Sequence, residues 1–397
     1  MELSQRVQAI KESPTLAVSA RAARLKAEGK DIIGLGVGEP DFDTPQHIKD
    51  AAKKAIDDGF TKYTPVSGIP SLKNAIVAKL KRDNDLDYTE KQVIVGVGGK
   101  QCIFNLALAV LNPGDEVVIP APYWVSYADI AMVAEAKPVI VECGIEQGFK
   151  ITPAQLDAAI TPKTKMFMIN SPSNPTGAVY TLDELKALGE VLKRYPHVLV
   201  ATDDMYEHVN LSGAKFFNIL NATPELKDRC VVLNGVSKAY SMTGWRIGYA
   251  AGPENIIKAM EILQSQSTSN PTSISQVAAQ AALDGDQSCI DPMVKAFRER
   301  HAFVVRRFNE MKGVKCIHAG GAFYAFPDAR EAIAELHRHG TIAEATDMAL
   351  SEYLLEKAGV AIVPGSAFGA EGYFRISFAT SMKNLEMALE RIQKALE

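Results

Sequence analysis

The chain's sharpest chemical feature is a lysine with an arginine eight positions later. Residues 237–249 read Ser-Lys-Ala-Tyr-Ser-Met-Thr-Gly-Trp-Arg-Ile-Gly-Tyr, so Lys238 and Arg246 bracket small hydroxyl-bearing residues. Desolvation and a neighbouring cation both lower a lysine pKa, and an amine lowered in this way forms Schiff bases with carbonyls. An arginine such as Arg246 suits a dianionic group, because its planar fork donates hydrogen bonds in pairs. Adjacent Asp203 and Asp204 follow the apolar run 198–202, with Tyr206 just beyond. Successive side chains of an extended segment point to opposite faces, so only one of these carboxylates can face a shared ligand. Arg375 lies inside the apolar stretch 373–378. A buried arginine needs a carboxylate, supplied by the protein or by a ligand.

Each feature has a plainer reading. Lys238 could be a solvated residue in a turn, and Asn174 in Asn-Pro-Thr-Gly (174–177) a turn former. Trp124, beside Pro122 and Tyr123, could be core or interface packing, and Tyr63 could be a surface residue. An internal Asp or Glu could satisfy Arg375. The glycines of 34–38 imply close backbone approach, to a ligand or to another strand.

The elements that would position these residues follow from periodicity. Val18, Ala22 and Leu25 recur at near-helical spacing within 7–29, with Gly29 where a C-cap belongs. Residues 46–59 read as an amphipathic helix ending at Gly59. A strand at 92–97, a turn at 98–101 and a helix at 102–110 make a strand–glycine–helix unit, whose helix N-terminus suits a phosphate. Its Gly-Val-Gly-Gly-Lys-Gln lacks the P-loop pattern. Further strands are expected at 117–120, 165–169, 198–208 and 230–234, and helices at 182–195 and 254–266. This alternation predicts an α/β fold with a mostly parallel central sheet flanked by helices, and ligands bind at the carboxyl edge of such sheets. A long helix at 292–311 leads to a smaller α/β unit with strands at 320–326, 360–363 and 373–378.

Composition narrows the classes. The 397 residues are 47% hydrophobic, enough for a large core and two domains. Lys plus Arg number 43 against 47 Asp plus Glu, without the basic stripe of a nucleic-acid protein. No apolar run approaches a membrane span, and the first residues lack the apolar stretch of a secretory signal. Five scattered cysteines without a Cys-x-x-Cys pair argue for reduced thiols in the cytoplasm and against a metal site.

Taken in order, Gly-x-Gly-Glu-Pro-Asp-Phe (36–42), Lys-Tyr-Thr (62–64), Gly-Gly-Lys-Gln (98–101), Pro-Tyr-Trp (122–124), Asn-Pro-Thr-Gly (174–177), Asp-x-x-Tyr (203–206), the 237–248 segment and Arg-Ile-Ser (375–377) span nearly the whole chain. They resemble the fold-type I, class I pyridoxal-phosphate-dependent aminotransferases, most closely the bacterial-type aspartate aminotransferases. The resemblance implies pyridoxal 5'-phosphate bound to Lys238, with Asp203 paired to the ring nitrogen. Tyr206 and Asn174 would donate to the phenolic oxygen, and Trp124 would stack on the ring. Gly99, Lys100, Gln101, Ser237 and Arg246 would hold the phosphate. Tyr63 would reach the cofactor of the other subunit, making a homodimer with shared active sites. Gly38, Trp124, Asn174 and Arg375 would contact substrate, Arg375 gripping the α-carboxylate. Lys100 would receive a distal carboxylate, joined by Ser13 and Thr15, or face solvent and serve only the phosphate.

The implied domains are an arm at 1–45 belonging to the small domain, a large domain at 46–290 and a small domain at 291–397. The implied reaction moves an amino group from L-aspartate to 2-oxoglutarate by ping-pong kinetics. Prephenate, alanine and aromatic aminotransferases and carbon–sulfur lyases share these parts. A non-catalytic sensor would need a DNA-binding extension.

Overall fold

Aliphatic runs punctuated by glycine and proline become the strands of the computed structural model, which describes residues 2–10, 12 and 14–397. A two-residue strand, β1 (Ile33–Gly34), precedes the main sheet. That sheet comprises β2 (Val93–Val97), β3 (Glu116–Ala121), β4 (Lys137–Glu142), β5 (Thr164–Asn170), β6 (Leu199–Asp203), β7 (Cys230–Gly235) and β8 (Ile247–Ala251). Its order is β2-β8-β7-β6-β5-β3-β4, parallel throughout except for β8, which runs antiparallel to both neighbours.

Both faces of this sheet are covered, which is why its strands read as unbroken apolar runs. In β6, Val200 packs into one apolar cluster while Leu199 and Ala201 pack into another. The same division separates Val232 from Val231 and Leu233 in β7. Period-two alternation thus feeds two cores.

The remaining strands are β9 (Tyr324–Ala325), β10 (Val360–Ala361), β11 (Val363–Pro364) and β12 (Phe374–Ser377). β1 pairs in parallel with β10, and β11-β12-β9 form a small antiparallel sheet. The expected strand at 360–363 is therefore two strands serving different sheets. The expected strand at 320–326 shortens to Tyr324–Ala325, because Gly320 and Gly321 donate instead to the Gly177 carbonyl. In place of the one helix expected at 7–29 there are two, Gln5–Gln8, which starts ahead of that stretch, and Pro14–Ala27. The helix Gly99–Val110 begins three residues earlier than expected, placing Gly99, Lys100 and Gln101 in its first turn. A helix at Pro70–Asn84 was not foreseen, although Pro at its start and a left-handed Asp85 at its end are fitting caps. Among the described residues no helix is long and apolar enough to cross a membrane.

Candidate active site

The carboxyl ends of β5, β6 and β7 open into a cavity of about 280 Å³. Lys238 enters it from the turn after β7, and its Nζ donates to the Gly38 carbonyl at 2.5 Å. The side chain as a whole is half-buried, but its amine is withdrawn from solvent. Desolvation first, then the Arg375 and Arg246 cations, pull its pKa down to about 8, against the opposing charges of Glu39 and Asp203.

Asp203 ends β6 and faces the same cavity. Its Oδ2 accepts from the Tyr127 hydroxyl at 2.5 Å and its Oδ1 from the Met205 N–H at 3.2 Å. Burial pushes its carboxyl up, while those two hydrogen bonds and the Lys238 charge oppose the rise. Asp204 turns away and binds the Thr202 hydroxyl and the Asn218 amide. Strand alternation thus sends one acid to the cavity and one to the core.

Arg375 is 1% exposed, and no carboxylate among the described residues pairs with it. Its Nη1 donates to Asn174 Oδ1 at 2.8 Å and its Nη2 to the Gly36 carbonyl at 2.6 Å, while Nε is buried without a partner. The internal acid that the sequence left open is not found beside it among the described residues. Asn174 is held by its own N–H donating to Asn170 Oδ1, and the Asn170 amide donates to the Asp203 carbonyl. Tyr206 is buried, with its hydroxyl 2.8 Å from that of Tyr324.

At the cavity's other side stands the N-terminus of the helix Gly99–Val110. Gly99 and Lys100 occupy first-turn positions whose N–H groups have no acceptor within the helix. A Cβ on Gly98 would lie 2.3 Å from Arg246 Nη2, so glycine lets the guanidinium rest against the helix start. Arg246 itself is left-handed (φ 55°), exposed in the single chain, and donates from Nη1 to the Thr243 carbonyl at 2.8 Å. With Ser237 also lining the cavity, this corner suits a dianion. Lys100 Nζ stands 5.0 Å above the Trp124 ring, and Trp124 meets Tyr127 edge-on at 5.4 Å.

Two of the sequence-derived residues lie elsewhere. Gln101 does not line the cavity, contrary to expectation. Its N–H donates to the Gly98 carbonyl, and its side chain bridges the Val97 N–H and the Thr268 hydroxyl, so it builds the turn. Tyr63 is 92% exposed and takes no part in the cavity of its own chain. Thr15 lines the cavity, whereas Ser13 lies outside the described residues. Sequence reasoning missed Tyr127, Asn170 and Tyr324, because a lone polar atom within an apolar or turn segment carries no spacing signal.

The geometry joins an amine of lowered pKa, a buried acid, an anion corner and an unpaired guanidinium. A family model for aminotransferase class I and II matches residues 30–392. The aspartate/prephenate aminotransferase of Nitrosomonas europaea is 64% identical over 396 residues, covering 100% of both chains. That of Cereibacter sphaeroides is 55% identical over 392 residues, covering 98% of each. Among solved structures, the aspartate aminotransferase from Rhizobium meliloti superposes with a TM-score of 0.94 at 47% identity, covering 100% of this chain and 99% of that one. The Thermus thermophilus aspartate aminotransferase with maleate gives 0.93 at 41% identity over 100% of both. A match running from residue 30 to 392, with relatives aligned end to end, makes this chain a member of the class I and II aminotransferases.

Proposed function

We propose that the protein is a pyridoxal-phosphate-dependent aminotransferase that transfers the amino group of L-aspartate, or a similar dicarboxylic amino acid, to 2-oxoglutarate in a ping-pong cycle. The observation that carries this is Arg375, a buried guanidinium with an unpartnered Nε, in one cavity with the lowered amine of Lys238. A buried charge without a counterion is costly unless a ligand completes it, and a substrate carboxylate does so.

The residues present fit the cofactor. Asp203 offers a buried carboxylate without a cationic hydrogen-bond partner, suited to a pyridine nitrogen. The first turn at Gly99 and Lys100, with Ser237 and Arg246, offers donors for a phosphate. Trp124 offers a flat face for a ring. Bound there, pyridoxal phosphate supplies an aldehyde for the amine and a ring that withdraws electrons when protonated.

The chain's own groups do the rest. Lys238 Nζ, with a pKa near 8, is a ready nucleophile at neutral pH; it takes the proton from the donor's Cα in the first half of the cycle and supplies one to the acceptor's Cα in the second. Asp203 keeps a proton on the ring nitrogen, its position fixed by Tyr127. Asn174 accepts from Arg375 through Oδ1, which leaves its amide N–H groups to donate toward the phenolic oxygen. Tyr206 donates to the same oxygen. Arg375 takes the α-carboxylate in a paired contact, beside the Gly38 backbone. Lys100, raised over Trp124 at the rim, meets the distal carboxylate.

Prephenate is a second amino acceptor under this reading, favoured by the Nitrosomonas europaea relative, whose name includes it. The exposure of Tyr63, whose side chain makes no hydrogen bond among the described residues, supports a homodimer in which it completes the other subunit's phosphate site. The pairing of β1 with β10 supports assigning 1–45 to the small domain with 291–397, leaving 46–290 as the large one.

Reconstitution tests the reading. Purified protein mixed with pyridoxal phosphate should develop a visible absorption band and move nitrogen from aspartate to 2-oxoglutarate, and Lys238→Ala should lose both. Protein that stays colourless and inactive toward every donor in a panel that includes alanine and aromatic amino acids defeats it.

A further inference from the structure

Tyr324 belongs to none of the motifs that mark the site, yet three parts of the cavity converge on it. It is fully buried in β9, and its hydroxyl lies 2.8 Å from the Tyr206 hydroxyl. The Arg375 guanidinium covers its ring, 4.5 Å from the centroid. A Cβ on Gly38 would come within 2.7 Å of its hydroxyl oxygen, so the backbone that receives Lys238 Nζ packs directly on it. Register fixes the strand as well, since Tyr324 lies opposite Ser377, two residues beyond Arg375. The ring therefore has one orientation, and among the described side chains only Tyr206 hydrogen-bonds its hydroxyl.

The direction of that bond follows from proton counting. A phenol carries one proton and can accept through its lone pairs. When Tyr206 gives its proton to an oxygen in the cavity, its contact with Tyr324 must run the other way, with Tyr324 donating. A hydroxyl that accepts one hydrogen bond donates a stronger one. We propose that Tyr324 is a positioning residue for the transamination: its hydroxyl donates to Tyr206 and thereby aims and strengthens the Tyr206 proton as a donor to the cofactor's phenolic oxygen. This rests on the reading of Tyr206 and the cofactor given above.

A weaker donor leaves the phenolic oxygen more basic, so the proton it shares with the lysine-bound nitrogen is held to higher pH. The test is a spectrophotometric titration of the visible band in pyridoxal-phosphate-loaded wild type, Tyr324→Phe, Tyr206→Phe and the double variant. Tyr324→Phe keeps the ring under Arg375 and should titrate higher by roughly 0.3–1 unit, at most the worth of one neutral hydrogen bond. Tyr206→Phe should shift further, and adding Tyr324→Phe to it should change nothing, since the effect passes through Tyr206. In Tyr324→Phe, kcat should fall several-fold with little change in KM for aspartate. A Tyr324→Phe titration superimposed on wild type, or a shift that persists in the Tyr206→Phe background, overturns the proposal. A wild type with no visible band defeats the cofactor reading and this inference with it.

Discussion

Replacing Arg375 with leucine should separate stability from function. In the folded chain the guanidinium has lost its water without gaining a carboxylate, a desolvation cost of several kcal/mol. Against it stand two hydrogen bonds, to Asn174 and the Gly36 carbonyl, worth roughly 1.5–3 kcal/mol each for a charged donor. The rings of Tyr324 and Phe368, 4.5 and 4.9 Å from the guanidinium, add about 1–2 kcal/mol apiece. These opposing contributions nearly cancel, so Arg375→Leu should change unfolding stability by no more than about 2 kcal/mol, a shift of a few degrees in Tm. Catalysis has no such cancellation. A substrate carboxylate deprived of its buried partner loses roughly 2–5 kcal/mol, which lowers kcat/KM about 30- to 5000-fold. Thermal unfolding by circular dichroism and steady-state transamination with aspartate measure the two effects. A large drop in Tm with kcat/KM preserved within a few-fold would make Arg375 a structural residue and refute the reasoning.

Cofactor-stripped protein should capture pyridoxal phosphate at a rate that climbs about tenfold per pH unit below 8 and levels off near pH 9, because the Lys238 amine titrates near 8; a rate still climbing at pH 10 contradicts the lowered amine. The folded state binds that proton less tightly than the unfolded chain does, so at this site the stripped protein gains stability as pH rises from about 8 toward the ordinary lysine value of 10.5. Lys100→Met should raise KM for aspartate far more than for alanine, measured over a donor panel, and equal effects on both would remove the distal-carboxylate role. Lys79 is buried against Glu207, which also accepts from Asn84 at 2.6 Å and from Asn234 at 2.7 Å. Lys79→Met strands that carboxylate and should cost roughly 3–5 kcal/mol in urea unfolding, most of it recovered by adding Glu207→Gln; equal stability of both variants would show that the pair carries no such weight.

Much of the large sheet could be read from the chain because buried parallel strands leave continuous aliphatic runs, as in 165–169 and 230–234. Strand alternation, a local rule, admits only one of Asp203 and Asp204 to the site, and the Asp-x-x-Tyr resemblance picks Asp203. What escaped depends on partners distant in sequence. The aliphatic run 360–363 does not reveal that Val360 pairs with Ile33 while Val363 pairs with Arg375. The run 320–326 has strand composition, yet its glycines are claimed by the Gly177 turn. Gln101, by its place after Gly98-Gly99-Lys100, suggests a backbone donor to phosphate, but its N–H donates to the Gly98 carbonyl and its side chain accepts from the Val97 N–H. Tyr127 and Tyr324 gained their places through hydroxyl contacts 76 and 118 residues away along the chain.

The segment 33–38 is stitched to the far end of the polypeptide: β1 to β10, the Leu35 carbonyl to the Ser377 N–H, and the Gly36 carbonyl to Arg375. Translation therefore delivers the parts out of order. Lys238, Asp203 and the glycine turn leave the ribosome well before Arg375 is made, while the 33–38 segment that receives the Lys238 amine waits for its C-terminal partners. A chain that stops short of residue 375 lacks both the strand that joins β9 to β11 and a cation that helps lower the Lys238 amine, so the cavity is finished only with the final stretch of synthesis.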